Sequence, residues 1–186
     1  FSQGIDRIYD VFAYEDQFRG VDAKIAEFAL GLGGFSGSSA DFIRLLGIWL
    51  ANEYPSGRSI TATAARLNIP IFIPALCDFS LGIAIVMARR EGHQIMIDQL
   101  EDADQLTGYV EHAQKTGVIY IGGGFPKNFI QQTQVIASIH DHGCGGHDYA
   151  IQYTTDTPHY GGLSGCTFEE AVSWGKESCT CRKVQC

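Results

Sequence analysis

The sequence predicts an α/β fold, a Rossmann-like parallel sheet with helices on both faces. Three observations predict it. Short apolar, β-branched runs alternate with longer segments of helical spacing. A triple-glycine turn, Gly122 to Gly124, joins one of those runs to a helical segment. The chain has 186 residues and 45% hydrophobic content, enough to bury one core. A single domain over residues 1–186 is expected.

Residues 38–53 carry Phe42, Leu45, Leu46, Ile48, Trp49 and Leu50 at helical spacing. Ser38 or Ser39 is placed to cap that helix, a glycine-rich loop from Gly31 precedes it, and Pro55, Ser56 and Gly57 end it. Residues 59–67 read as a second, shorter helix capped by Ser59 or Thr61. Residues 69–74 are apolar, β-branched and bounded by prolines, which predicts a buried strand. Residues 80–89 predict a helix and 93–98 a strand. Residues 101–115 predict an amphipathic helix with Leu106, Val110 and Ala113 on one face. Residues 117–121 are the next strand, 127–140 a long helix and 149–154 the following strand. A short helix over 167–176 comes after a glycine-rich loop. Residues 182–186 read as the start of a further strand. That reading, with Phe1 in place of an initiator methionine, predicts a sequence incomplete at both ends.

The formal net charge of -8 argues against nucleic acid as a partner and fits a cationic ligand weakly. No apolar run reaches the ~18–20 residues that a membrane span needs. Cys77, Cys144, Cys166, Cys179, Cys181 and Cys186 are irregularly spaced, so free thiols in a reducing cytoplasm are expected.

The stretch T-F-E-E-A-V-S-W-G-K, residues 167–176, carries the most chemistry. A lysine amine attacks an imine or carbonyl only when unprotonated, and its ordinary pKa is about 10.4. An aromatic wall and burial disfavour the ammonium form. Lys176 follows Trp174 by two residues and is placed for that use. A cation at a helix C-terminus also suits the dipole, which is the plainer reading. Glu170 and Trp174 lie four apart and share a helix face. Gly175 ends the helix and lets Lys176 turn away.

Three other segments have dual readings. The G-G-G-F-P-K turn lets a ligand approach the backbone at a helix N-terminus, or is simply a tight connection. Asp78 follows a predicted strand, where open sheets bind ligands, and equally suits a helix cap. Thr154, Thr155 and Asp156 stand in the same relation to the strand before them. His140, His142, Cys144 and His147 are metal-ligand types, but their spacing matches no zinc template, and no metal is expected. The cysteines from Cys179 onward alternate as strand residues do and are read as structural.

Several of these segments resemble the deoxyhypusine synthases. E-A-V-S-W-G-K at 170–176 is similar to that family's lysine signature. N-I-P-I-F-I-P-A-L-C-D-F-S-L-G at 68–82 resembles its "IPVF-PALTDGSLGD" run. I-G-G-G-F-P-K at 121–127 resembles "LGGGVVKH", and G-I-D-R-I at 4–8 resembles "GINRI". The resemblance spans essentially the whole chain in family order. It implies an NAD-dependent transferase with Lys176 as the catalytic residue. It implies NAD contacts at Asp78, Gly123, Gly124, Thr155 and Ser164. It implies amine-substrate contacts at Asn128, Tyr160, Gly161, Glu170 and Trp174. A polyamine or small-amine donor, a translation factor precursor or putrescine as acceptor, and a homotetramer follow as further expectations.

The chain also departs from that pattern. The aspartate after S-L-G is Ile83, two acids of the loop before the lysine helix are Tyr160 and Leu163, and a histidine after the glycine turn is Asn128. Only Glu170 remains of the acidic set. A carboxylate–ammonium contact is worth about 1.5–3 kcal/mol, so the amine clamp is expected to be rebuilt for another substrate. A non-catalytic assembly subunit of the same fold is the alternative.

Overall fold

The computed structural model describes residues 4–139, 145–157 and 167–185. The chain is an α/β protein with parallel strand pairing, and it divides into two compact units, Phe1–Asp98 and Gln99–Cys186.

The N-terminal unit begins with a hairpin, β1 (Ile5–Ile8) and β2 (Val11–Tyr14), paired antiparallel. Helix α1 (Glu15–Gly31) follows, then the short strand β3 (Phe35–Gly37) and helix α2 (Ser39–Glu53). Ser38 caps α2, its hydroxyl oxygen accepting the Asp41 N–H at 3.0 Å. Helix α3 (Ile60–Arg66) is capped in the same way by Ser59, which accepts from Ala62. Helix α4 (Ser80–Arg90) leads to strand β4 (Ile95–Ile97), which pairs parallel with β3. The core gathers Phe28, Phe42, Ile43, Leu46, Leu81, Ile85 and Ile95. The Phe28 and Phe42 rings meet edge to face at 5.4 Å.

The strand expected at residues 69–74 does not form. That segment runs without a ladder between α3 and a 3-10 turn (Leu76–Asp78). Pro70 and Pro74 lack the N–H a ladder requires. The Ile73 N–H instead reaches the Ser39 hydroxyl at 2.8 Å, and the Ile69 N–H reaches the Ala64 carbonyl. Ile71 and Ile73 still pack on the core, so the apolar signal was one of burial and not of sheet pairing.

The C-terminal unit alternates strictly. Its order is α5 (Gln99–His112), β5 (Gly117–Ile121), α6 (Gly124–Ile139), β6 (His147–Tyr153), α7 (Phe168–Ser173) and β7 (Glu177–Gln185). The three strands form one parallel sheet in the order β5-β6-β7. Its apolar core is small, with Tyr120, Ala150 and Phe168 at the centre. Polar side chains fill much of the remaining interior: Lys127, Gln131, Gln134, His147, Gln152 and Glu177 are all buried. No helix among the described residues is long and apolar enough to cross a membrane.

Candidate active site

Lys176 is placed by a helix end. Thr167 caps α7, its hydroxyl oxygen accepting the Glu170 N–H at 3.2 Å. Six residues later the helix closes. Gly175 takes φ +70° and donates to the Val172 carbonyl, and the Lys176 N–H donates to the Ala171 carbonyl at 2.9 Å. This paired closure requires a left-handed residue, and glycine supplies it. The chain then turns into β7. The Lys176 carbonyl accepts the His147 N–H at 3.2 Å, and Lys176 Nζ donates to Asn128 Oδ1 at 2.7 Å. Backbone and side-chain tip are therefore held by two different elements, β6 and α6.

The glycine turn lies at the C-terminal end of β5. Gly122 and Gly124 have φ +84° and +69°. The Gly122 N–H donates to the Tyr153 carbonyl at 2.8 Å, and the Gln152 amide donates to the Gly122 carbonyl at 2.9 Å. Those bonds lock the turn to the end of β6. Just beyond, Thr154 Oγ1 accepts the Asp156 N–H at 3.1 Å, leaving Thr155 exposed at the crest of this turn. Gly123, Gly124 and Thr155 thus meet at the strand ends where parallel sheets take ligands.

Lys176 approaches from the other end of the sheet. His147 begins β6 and Thr155 lies beyond its last residue. The seven residues of β6 span about 23 Å, so Thr155 and the Lys176 backbone stand far apart. Asn128, one turn into α6, connects the two regions.

Glu170 and Trp174 are exposed, and Trp174 keeps 67% of its surface accessible. Among the described residues, the cation held against aromatic rings is Lys127, whose Nζ lies 5.5 Å from the Tyr120 ring centre and 5.8 Å from that of Phe168. In the N-terminal unit, Asp78 ends the 3-10 turn with an exposed side chain. It does not cap α4, whose first residue is preceded by Phe79 with no side-chain cap. Tyr160, Gly161, Leu163, Ser164, His140, His142 and Cys144 lie outside the described residues. Cys77, Cys179 and Cys181 are free thiols.

The sequence pattern of the family described as deoxyhypusine synthase matches residues 1–186. The chain belongs to the deoxyhypusine synthase family. It is 56% identical over 185 residues to a "Probable deoxyhypusine synthase 2" of Methanosarcina acetivorans, covering all of this chain and 54% of that protein. A "Probable deoxyhypusine synthase 2" of Archaeoglobus fulgidus is 49% identical over 185 residues, covering all of this chain and 60% of the relative. A "Deoxyhypusine synthase-like protein" of Elusimicrobium minutum is 37% identical over 176 residues, covering 94% of this chain and 47% of the relative. The chain spans about half the length of the curated relatives it matches.

Within this deoxyhypusine synthase fold, the residues that sequence reasoning missed are the buried polar ones under Asn128 and Lys176. Gln131 Nε2 donates to Glu177 Oε1 at 3.4 Å, and Lys127 Nζ donates to Gln152 Oε1 at 3.2 Å. His147 Nδ1 lies 3.0 Å from Gln134 Nε2 and 2.9 Å from Thr116 Oγ1. Burial holds the His147 imidazole neutral and lowers its pKa to about 4, with the Ile130 carbonyl and Asp148 opposing weakly. Its Nε2 makes no hydrogen bond of ordinary geometry. A signal for this layer was present: Lys127, Gln131 and Gln134 fall at i, i+4 and i+7, a polar stripe where a core stripe is usual.

Proposed function

We propose that the full protein is an NAD-dependent transferase of the deoxyhypusine synthase type. It moves an aminoalkyl group from a polyamine-like donor to an acceptor amine through an imine on Lys176. The observation that carries this reading is the 2.7 Å hydrogen bond from Lys176 Nζ to Asn128 Oδ1, one turn past the triple-glycine bend.

The residues at the strand ends suit a dinucleotide. A Cβ at Gly122 would meet no atom within 4 Å, so the turn is open to a ligand. The N-terminus of the 16-residue α6 adds positive potential beside it, and Thr155 adds an exposed hydroxyl. Gly123, Gly124 and Thr155 would hold NAD there. When bound, NAD supplies hydride transfer, accepting a hydride from the amine-bearing donor carbon and returning it to the product imine.

The chain's own residues do the rest. Lys176 adds to the donor imine carbon, the carbon–nitrogen bond to the departing amine breaks, and the aminoalkyl group stays on Lys176 as an imine. The acceptor amine then displaces the lysine. Asn128 Oδ1 accepts one N–H of the lysine and directs its lone pair outward. Glu170 and Trp174 offer a carboxylate and an aromatic face to the ammonium groups of the donor. The acceptor is a lysine of a translation factor precursor or a small amine such as putrescine. The assembly is a homotetramer in the cytoplasm.

Ile83 favours a changed donor. It stands where the family run carries an aspartate and is 54% exposed, on the surface of α4. A small-amine transferase, or an assembly subunit without turnover, fits that loss. The test is to incubate full-length protein with NAD and spermidine, reduce with borohydride, and read the Lys176 peptide by mass. An aminobutyl adduct absent from Lys176→Ala supports the transferase. A native protein that binds no NAD and traps nothing from any of a panel of amines is the assembly subunit.

A further inference from the structure

Two consecutive residues of one segment are tied to one face of α6. Lys176 reaches Asn128, and Glu177 reaches Gln131, three residues further along the helix. Lys176 is half-buried, whereas Glu177 is 1% exposed and Gln131 is fully buried. Lys176 lies in the bend just before β7 and Glu177 is the first residue of that strand. The upper tie is therefore at the surface and the lower one is sealed inside.

A buried carboxylate is expensive to desolvate, and most folds would fill this place with an apolar side chain. The surroundings are built for this one. Gly146 has φ +89°, and a Cβ there would overlap the Glu177 backbone, so the start of β7 is pressed against the loop before β6. His147 pairs with Glu177 in the ladder. Cys181 Sγ lies 3.8 Å from Glu177 Oε2 and adds a weak donor.

We propose that Gln131 and Glu177 are positioning residues that fix the Lys176 amine against Asn128. They act as the lower half of a double clamp between the start of β7 and α6. The clamp sets the register of the segment, and the register sets where Nζ can reach. Neither residue touches a ligand. The inference rests on the reading of Lys176 as the reacting amine for its purpose, though not for its geometry.

The test reads the amine directly. Full-length protein is labelled with formaldehyde and cyanoborohydride, and methylation of Lys176 is measured by peptide mass against Lys24, a surface lysine of α1. Glu177→Leu and Gln131→Leu each free the amine from Asn128, and the Lys176/Lys24 ratio rises about threefold to tenfold, the factor one hydrogen bond of ordinary strength gives. Glu177→Gln keeps an acceptor for Gln131 and restores the native ratio. If the leucine variants do not fold, Gln131→Asn withdraws the donor by one methylene and gives the same rise. A ratio unmoved in the folded variants overturns the clamp, whether or not the protein turns over. With spermidine and NAD, the same variants lower kcat and leave KM within about threefold. A change carried by KM alone also overturns it.

Discussion

Asn128 and Lys176 are 48 positions apart, yet the carboxamide Oδ1 of one accepts a 2.7 Å hydrogen bond from Nζ of the other. Helix α6 follows β5 and Lys176 precedes β7, so parallel pairing through β6 brings them together. Replacing Asn128 with alanine removes the acceptor and leaves the amine free to rotate. The rate of borohydride-trapped adduct on Lys176 is expected to fall about tenfold. Lys176→Ala is expected to trap nothing. Mass measurement of the Lys176 peptide over time checks both, and an undiminished rate in Asn128→Ala removes that residue from the chemistry.

Trp174 separates binding from folding. Its ring is largely exposed, so Trp174→Ala is expected to change stability by less than about 0.5 kcal/mol. If the indole receives the donor amine, the same change raises KM for the amine several-fold. Urea denaturation and steady-state kinetics on one preparation decide it. A large loss of stability would make Trp174 a structural residue.

His147 makes stability fall in acid. Its folded pKa of about 4 lies below the unfolded value near 6.5, so between those values the unfolded chain binds more protons. The contribution is complete above pH 6.5 and is lost as pH falls through 4. Its full size is roughly 3 kcal/mol. Urea midpoints measured from pH 7 to pH 4 should decline, and His147→Gln should flatten the part of the decline that belongs to this group.

Gly146→Ala tests the close approach of two backbones. A left-handed φ in a residue with a side chain costs roughly 1–3 kcal/mol, and overlap with Glu177 adds to it. The melting temperature should drop clearly. A melting temperature equal to that of the native protein would mean that β7 starts elsewhere.

What the sequence made legible was local. Ser38 and Ser59 cap the helices expected of them, because a cap is decided within three residues. The glycine turn at 122–124 and the reversal at Gly175 were read for the same reason. The hairpin of β1 and β2 and the three-residue β3 escaped notice. Their pairing partners, not their composition, make them strands. The 69–74 segment was misread because burial and strand pairing leave the same apolar signature. Gln131 and Glu177 were illegible singly, since a polar residue on a helix or strand ordinarily faces water. Only the folded chain brings them to each other.

Lys127 and Lys176 sit at neighbouring points of the same fold with opposite access. Lys127 is 2% exposed, closed in by Tyr120, Phe168 and Gln152. An amine-directed reagent added to intact protein should modify position 176 and spare position 127. Any mark found on Lys127 therefore dates from a moment when α6 had lifted from its sheet, which gives each preparation an internal gauge of how much of it is native.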